Sequence, residues 1–181
     1  MGELIDRRLR LLKQLGGYRP QPSEVPARRE MLALLQTETV PLSRNHFDPG
    51  HFTVGAFVLV AGQLLMVHHK SLDMWLVPGG HLDPDDATAE DAAARELLEE
   101  TGVRGRLVGE GIFDVDVHPI PAARGEPPHR HFNVGYLFTA DMVPPVAADD
   151  VLAARWVPLG DVAHLDVDSA VARAVAKLQA F

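Results

Sequence analysis

The chain has 181 residues, 46% of them hydrophobic, enough for one domain with a filled core and a small appendage. A formal net charge of −8 at pH 7 supplies no basic field, and Lys/Arg runs do not exceed pairs such as Arg7-Arg8 and Arg28-Arg29, which argues against nucleic acid and anionic membranes as partners. Zero cysteines exclude disulfides, thiolate zinc sites and a cysteine nucleophile. An acidic protein can still process phosphate compounds where bound cations invert the local charge, so this composition favours a metal-dependent site over an arginine-lined one. The segment from Met1 to Gln14 lacks the apolar stretch of a signal peptide, and no run of about 18 apolar residues is present to span a bilayer. A soluble, cytoplasmic protein is expected.

In chain order, Ile5, Leu9 and Leu12 fall at helical spacing, Gly16-Gly17 and Pro20 to Pro26 interrupt, and Ala27 to Leu35 resumes the pattern. Residues 1–45 therefore read as a helical appendage that covers the core, binds a partner or builds a homodimer, and residues 46–181 as the main domain. From His51 the chain turns to short Val-, Phe- and Leu-rich runs, which suggests strands at His51 to Val60 and Gln63 to His69 around an Ala61-Gly62 hairpin turn. Trp75 to Val77 leads into a Pro78-Gly79-Gly80 turn. One helix spans about Ala89 to Thr101. Leu107 to His118 and His129 to Ala140 read as strands joined by a Pro/Gly-rich loop, and Asp149-Asp150 as solvated loop. Arg155 to Pro158 is a short strand with Trp156 in the core, and Asp168 to Ala180 closes the chain as a helix. This mixed order argues for an α/β (α+β) sandwich and against a doubly wound parallel sheet.

The helix from Ala89 carries the chemistry. Thr88-Ala89-Glu90-Asp91 fits a capping box, and Gly102 stands where a left-handed residue ends a helix. At about 100° per residue, Ala94, Leu97 and Leu98 share one side while Glu96, Glu99 and Glu100 share the other. Like charges at i, i+3 and i+4 each cost a few tenths of a kcal/mol, which a divalent cation would offset. Hard carboxylate oxygens suit Mg²⁺ or Mn²⁺ better than zinc. A solvated acidic face is the bland alternative, and the upstream strand ending in two glycines, where backbone can approach a ligand, weighs against it.

Arg95-Glu96-Leu97-Leu98-Glu99-Glu100-Thr101-Gly102-Val103 resembles the end of the Nudix box, R-E-U-x-E-E-x-G-U with U aliphatic, at every fixed position. Trp75 and Pro78-Gly79-Gly80 also look like this family of MutT-like hydrolases. The resemblance spans about Trp75 to Val103 and implies an α/β/α sandwich with a mixed sheet. It also implies divalent-metal-dependent hydrolysis of a nucleoside diphosphate linked to a group X: a nucleotide sugar such as ADP-ribose, a dinucleoside polyphosphate or a nucleoside triphosphate. It assigns metal binding to the Gly80 carbonyl and to Glu96, Glu99 and Glu100, with Glu99, Glu96 and Arg95 in the catalytic set and Arg95 orienting a glutamate by bidentate hydrogen bonds. One departure stands out. The loop between Gly80 and Arg95 carries one residue more than the family pattern, with Asp86 where a glutamate is expected. The base is a helix carboxylate or a downstream acid, with Asp114, Asp116, Glu110 and Glu126 as candidates.

Substrate contacts are sought at Trp75, His81, His129 and His131. His129 and His131 share a strand face, and His118 ends the preceding strand, so the three could meet and touch a phosphate or base; an exposed strand edge is the alternative. Zinc is not expected, and His68-His69 face opposite sides of a strand. A catalytically silent binding module of the same fold is the competing reading, and the intact acidic set speaks against it. An isopentenyl diphosphate isomerase would carry an active-site cysteine, which this chain lacks.

Overall fold

The computed structural model describes residues 2–37, 41–123, 125–148 and 151–180, so the Asp149-Asp150 pair lies outside the described residues. Helices α1 (Gly2–Gly17) and α2 (Val25–Leu35) form where helical spacing predicts them, with one 3-10 turn, Pro22–Glu24, between them. The buried side of α1 is not the expected one. Leu9 is 57% exposed, whereas Leu11 and Leu15 are buried in line with buried Arg7. The Arg7 guanidinium donates to the Pro84 carbonyl at 3.1 Å, so the face follows an i, i+4 row anchored by a long-range bond.

Strands β1 (Gly50–Val60), β2 (Gln63–His69), β3 (Met74–Leu76), β4 (Gly79–His81), β5 (Gly105–Ile120), β6 (His129–Ala140) and β7 (Val151–Pro158) accompany helices α3 (Ala89–Thr101) and α4 (Ser169–Gln179). They form one seven-stranded sheet in the order β3-β2-β1-β6-β5, with β4 pairing β1 and β7 pairing β2. This is the mixed α/β architecture expected. The β1–β2 hairpin turns on Ala61 and Gly62, both at positive φ (47° and 75°), as a two-residue hairpin loop demands. β2 pairs antiparallel with β3 and, along its whole length, with β7. One expectation is corrected: Gly79-Gly80 is not a turn but part of strand β4. The Ala56 amide donates to the Pro78 carbonyl at 2.8 Å, which holds this segment alongside β1 and lets the glycines run on as strand.

Contacts group the chain into two compact units: Met1–Val54, Gly80–Ala92 and Gly111–Gly135 make the first, and Gly55–Gly79, Ala93–Glu110 and Tyr136–Phe181 the second. Leu11, Leu15, Met31, Leu35, Phe52 and Phe132 fill the core of the first; Phe57, Leu64, Leu65, Met66, Leu97, Tyr136 and Leu178 fill that of the second. Each such side chain contributes about 1.5–3 kcal/mol when fully buried. Within the first unit, Arg10 and Gln14 of α1 both donate to the Glu90 carboxylate, at 3.2 and 2.6 Å, and buried Glu24 accepts the Val115 amide at 3.2 Å. In the second, the Asp168 carboxylate caps α4 by accepting the Val171 amide at 2.7 Å. Trp156 is half-buried rather than core, because its indole Nε1 reaches out to donate to the Val143 carbonyl at 2.8 Å. Among the described residues no helix is long and apolar enough to cross a membrane.

Candidate active site

Helix α3 begins and ends on the signals its sequence carries. The Asp91 amide donates to the Thr88 hydroxyl at 3.1 Å, and that hydroxyl donates to the Asp91 carboxylate at 2.7 Å, so the return bond of the box runs between side chains. Gly102, at φ 68°, donates its amide to the Leu98 carbonyl at 2.8 Å and closes the last turn. Leu97 is buried together with Ala89, Ala92 and Ala93, while Ala94 and Leu98 are only half-buried, so the buried stripe is rotated from the expected one. That rotation brings Glu100, one turn after Leu97, into the protein.

The acidic side chains thus differ in environment. The Glu100 carboxylate is buried and accepts the Gly79 amide at 3.1 Å, a charge-assisted bond of the kind that contributes about 1.5–3 kcal/mol. Glu96 is largely covered, its side chain 15% exposed, while that of Glu99 is 58% exposed. One guanidinium nitrogen of Arg95, Nη1, donates to Glu96 Oε1 at 3.1 Å and to Glu99 Oε2 at 3.0 Å. Arg95 thus bridges two glutamates. The bridge offsets the repulsion of like charges three residues apart and fixes where their remaining oxygens stand. Three carboxylates with one cation between them leave a net negative face of hard oxygens, a donor set that fits Mg²⁺ or Mn²⁺.

Also in this second unit, the half-buried Trp75 ring lies against the His68 imidazole, with centroids 5.1 Å apart and planes 10° from parallel, and the Arg155 guanidinium sits 4.2 Å from the indole centroid. Glu110 is exposed near the end of the Gly105–Glu110 stretch of β5.

The first unit holds the loop that departs from the family pattern. Asp86 is buried; its carboxylate accepts the Asp83 amide at 2.7 Å and its own amide donates to the Asp83 carbonyl at 3.2 Å. The acid closes the enlarged loop on itself, a role for which a short aspartate is the right length. Asp114 is buried, Asp116 bonds His118 Nδ1 at 2.8 Å, and Glu126 lies 3.5 Å from Arg44.

The same unit collects histidines more closely than expected. His118, His129 and His131 do meet, with ring centroids 5.6 Å apart for His118 and His131 and 5.2 Å for His129 and His131. His81 joins them from β4, 5.4 Å from His131. At the middle is a ring that sequence reasoning passed over, His51, 5.0 Å from His81 and His129 and 4.9 Å from His131. Contacts between β1 and β6 advance together, Phe52 with Phe132 and Thr53 with Asn133, so His51 faces the same side as His129 and His131. The period-2 pattern His51, Thr53 against Phe52, Val54 was visible in the sequence. What was not visible is which strand lies beside it. Gly50 allows the approach: at φ 147°, a Cβ there would stand 1.9 Å from the Arg130 carbonyl oxygen.

Burial pushes the imidazoles of His51, His81 and His131 below their ordinary 6.5, to about 4 for His81 and about 2 for His131, and neighbouring rings add to the effect. His51 Nδ1 bonds the His46 carbonyl at 3.1 Å, but its buried Nε2 has no hydrogen-bond partner. Such an orphaned group costs about 1–3 kcal/mol.

Residues 49–178 match the model of the NUDIX domain, and the chain belongs to that family. A putative 8-oxo-dGTP diphosphatase from Bacillus subtilis is 48% identical over 66 residues, which are 34% of this chain and 44% of that protein, so the chain spans less than half the length of this curated relative. Among solved structures, a Nudix family hydrolase from Clostridium perfringens superposes with a TM-score of 0.59 at 18% identity, covering 76% of this chain and 97% of that one, a likeness of fold alone. A MutT Nudix hydrolase from Burkholderia pseudomallei gives 0.53 at 26% identity, over 69% of this chain and 95% of the other.

Proposed function

We propose that the chain hydrolyses a phosphoanhydride bond in a nucleoside diphosphate linked to a group X, with a divalent cation, Mg²⁺ or Mn²⁺, held by Glu96, Glu99, Glu100 and the Gly80 carbonyl. The observation that carries this reading is the organised acidic face of α3: Arg95 bridging Glu96 and Glu99, and Glu100 bonded to the Gly79 amide. A merely solvated face needs neither contact. When bound, the cation supplies charge neutralisation for the diphosphate, a more acidic bound water and stabilisation of the leaving oxygen. Arg95 keeps two carboxylates in register and cannot lose its proton. Gly79 orients Glu100 by donating to it, and Glu99, more exposed than Glu96 and Glu100, is the carboxylate best placed to accept a proton from water.

Substrate contacts are assigned in this reading to Trp75 and His81, and the Arg155 guanidinium over the Trp75 ring adds a positive charge suited to phosphate. The name of the Bacillus subtilis relative adds modified nucleoside triphosphates to nucleotide sugars and dinucleoside polyphosphates as substrate classes. Residues 46–181 form the catalytic domain in this reading, in keeping with a family match that opens at residue 49, and residues 1–45 its helical extension. A cytoplasmic site of action accords with a chain free of cysteine.

The test is a panel of ADP-ribose, diadenosine tetraphosphate, 8-oxo-dGTP and dGTP, assayed for release of nucleotide or phosphate in Mg²⁺ and in EDTA. At least one is cleaved in Mg²⁺ alone if the reading holds. Cleavage that continues in EDTA rejects the metal role, and a panel negative throughout favours a binding module.

A further inference from the structure

We propose that His51, His129 and His131 form a second metal site, one that takes a zinc-class divalent cation through three imidazole nitrogens. One nitrogen from each ring lies within 4.8 Å of the other two. Four-coordinate zinc with Zn–N bonds of about 2.0–2.1 Å sets its ligands about 3.3–3.4 Å apart. The Nε2 atoms of His129 and His131 are 3.3 Å apart, already at that spacing.

The tautomers agree. Nδ1 of His51 faces the His46 carbonyl at 3.1 Å and Nδ1 of His129 faces the Pro127 carbonyl at 2.8 Å. A carbonyl only accepts, so Nδ1 carries the hydrogen in each ring and a neutral ring turns the Nε2 lone pair inward, the outer-shell arrangement found around metal-bound histidines. A hydrogen bond between His129 and His131 would by itself account for their spacing, but it leaves the buried Nε2 of His51 without a partner. A cation at the centre satisfies all three.

Three neutral nitrogen donors suit Zn²⁺, Co²⁺ or Ni²⁺ and not Mg²⁺, so this site and the carboxylate helix select different ions. An open cleft of about 460 Å³, lined by Phe47, Pro49, Pro119 and His129 among others, leads to one of the ligands and gives an ion a way in. Zinc is not expected from the sequence, in which His51 stands far from His129 and His131; the third ligand comes from β1.

Metal-free protein is titrated with Co²⁺ in excess Mg²⁺, and bound cobalt is measured after gel filtration together with the visible spectrum. The proposal predicts one retained equivalent, with the intense absorption of a low-symmetry four- or five-coordinate ion, displaced by Zn²⁺. It predicts loss of that equivalent in His51→Gln and in His131→Gln, and its retention in Glu99→Gln. Wild-type protein that retains no cobalt overturns the proposal, as do folded histidine variants that retain it unchanged. Should those variants not fold, the imidazole ¹⁵N resonances of the wild type decide: Zn²⁺ shifts the Nε2 signals of His51, His129 and His131, or leaves them in place and the proposal fails.

Discussion

Helix α3 and the histidine cluster gather ionisable side chains in opposite ways. On α3, four charged residues lie within six consecutive positions and are arranged by the pitch of one helix, with Arg95 and the Gly79 amide completing the balance. The cluster draws His51, His81, His118, His129 and His131 from β1, β4, β5 and β6. Burial lowers the pKa of His51, His81 and His131 within it, whereas the glutamates are matched by donors. A locally coded site keeps its parts when distant strands shift, while a site assembled from strands depends on each pairing. That contrast can be broken or sharpened by substitution.

The largest effect is expected at the acidic face. Glu99→Gln and Glu100→Gln each remove a carboxylate from a site that supplies several kcal/mol of charge stabilisation, so kcat should fall about 100-fold or more on whichever substrate the panel identifies. Circular dichroism should be unchanged, since the helix keeps its caps. Gly50→Ala addresses the other site. Its Cβ would overlap the Arg130 carbonyl oxygen at 1.9 Å, so the start of β1 must move. Denaturant unfolding should show a loss of about 1–3 kcal/mol from the strained backbone, and cobalt binding should weaken far more than hydrolysis. Arg95→Lys retains the charge but replaces the guanidinium that bridges Glu96 and Glu99 with a point charge; steady-state kinetics should show a 10–100-fold loss, roughly the effect of removing an orienting outer-shell partner. The smallest effect falls on the cap: Thr88→Ala should lower unfolding stability by about 0.5–2 kcal/mol and leave kcat close to wild type.

How much was legible follows the same division. The limits of α3, β2 and β6 could be read from Thr88 and Gly102, from Ala61-Gly62, and from the run His129 to Ala140, because caps, turns and periodicity act over a few residues. The acidic helix face was legible for that reason too. The buried face of α1 was not: Leu9 looked like part of an apolar stripe, and the bond from Arg7 to Pro84, 77 residues away, turned a different row inward. The extension of β4 through Gly79 and Gly80 was hidden because glycine pairs signal turns unless a neighbouring strand accepts them. His51 escaped notice since nothing near it in the chain announces β6, whereas His129 and His131 reveal their shared face through spacing alone.

The central claim is that the glutamates of α3 hold the cation. Calorimetric titration of Mg²⁺ into metal-free wild-type protein and into the Glu99→Gln/Glu100→Gln double variant tests it most directly, since the histidines do not take Mg²⁺. The account predicts a Mg²⁺ binding isotherm for the wild type and none for the double variant. Equal Mg²⁺ binding by the two proteins would contradict it.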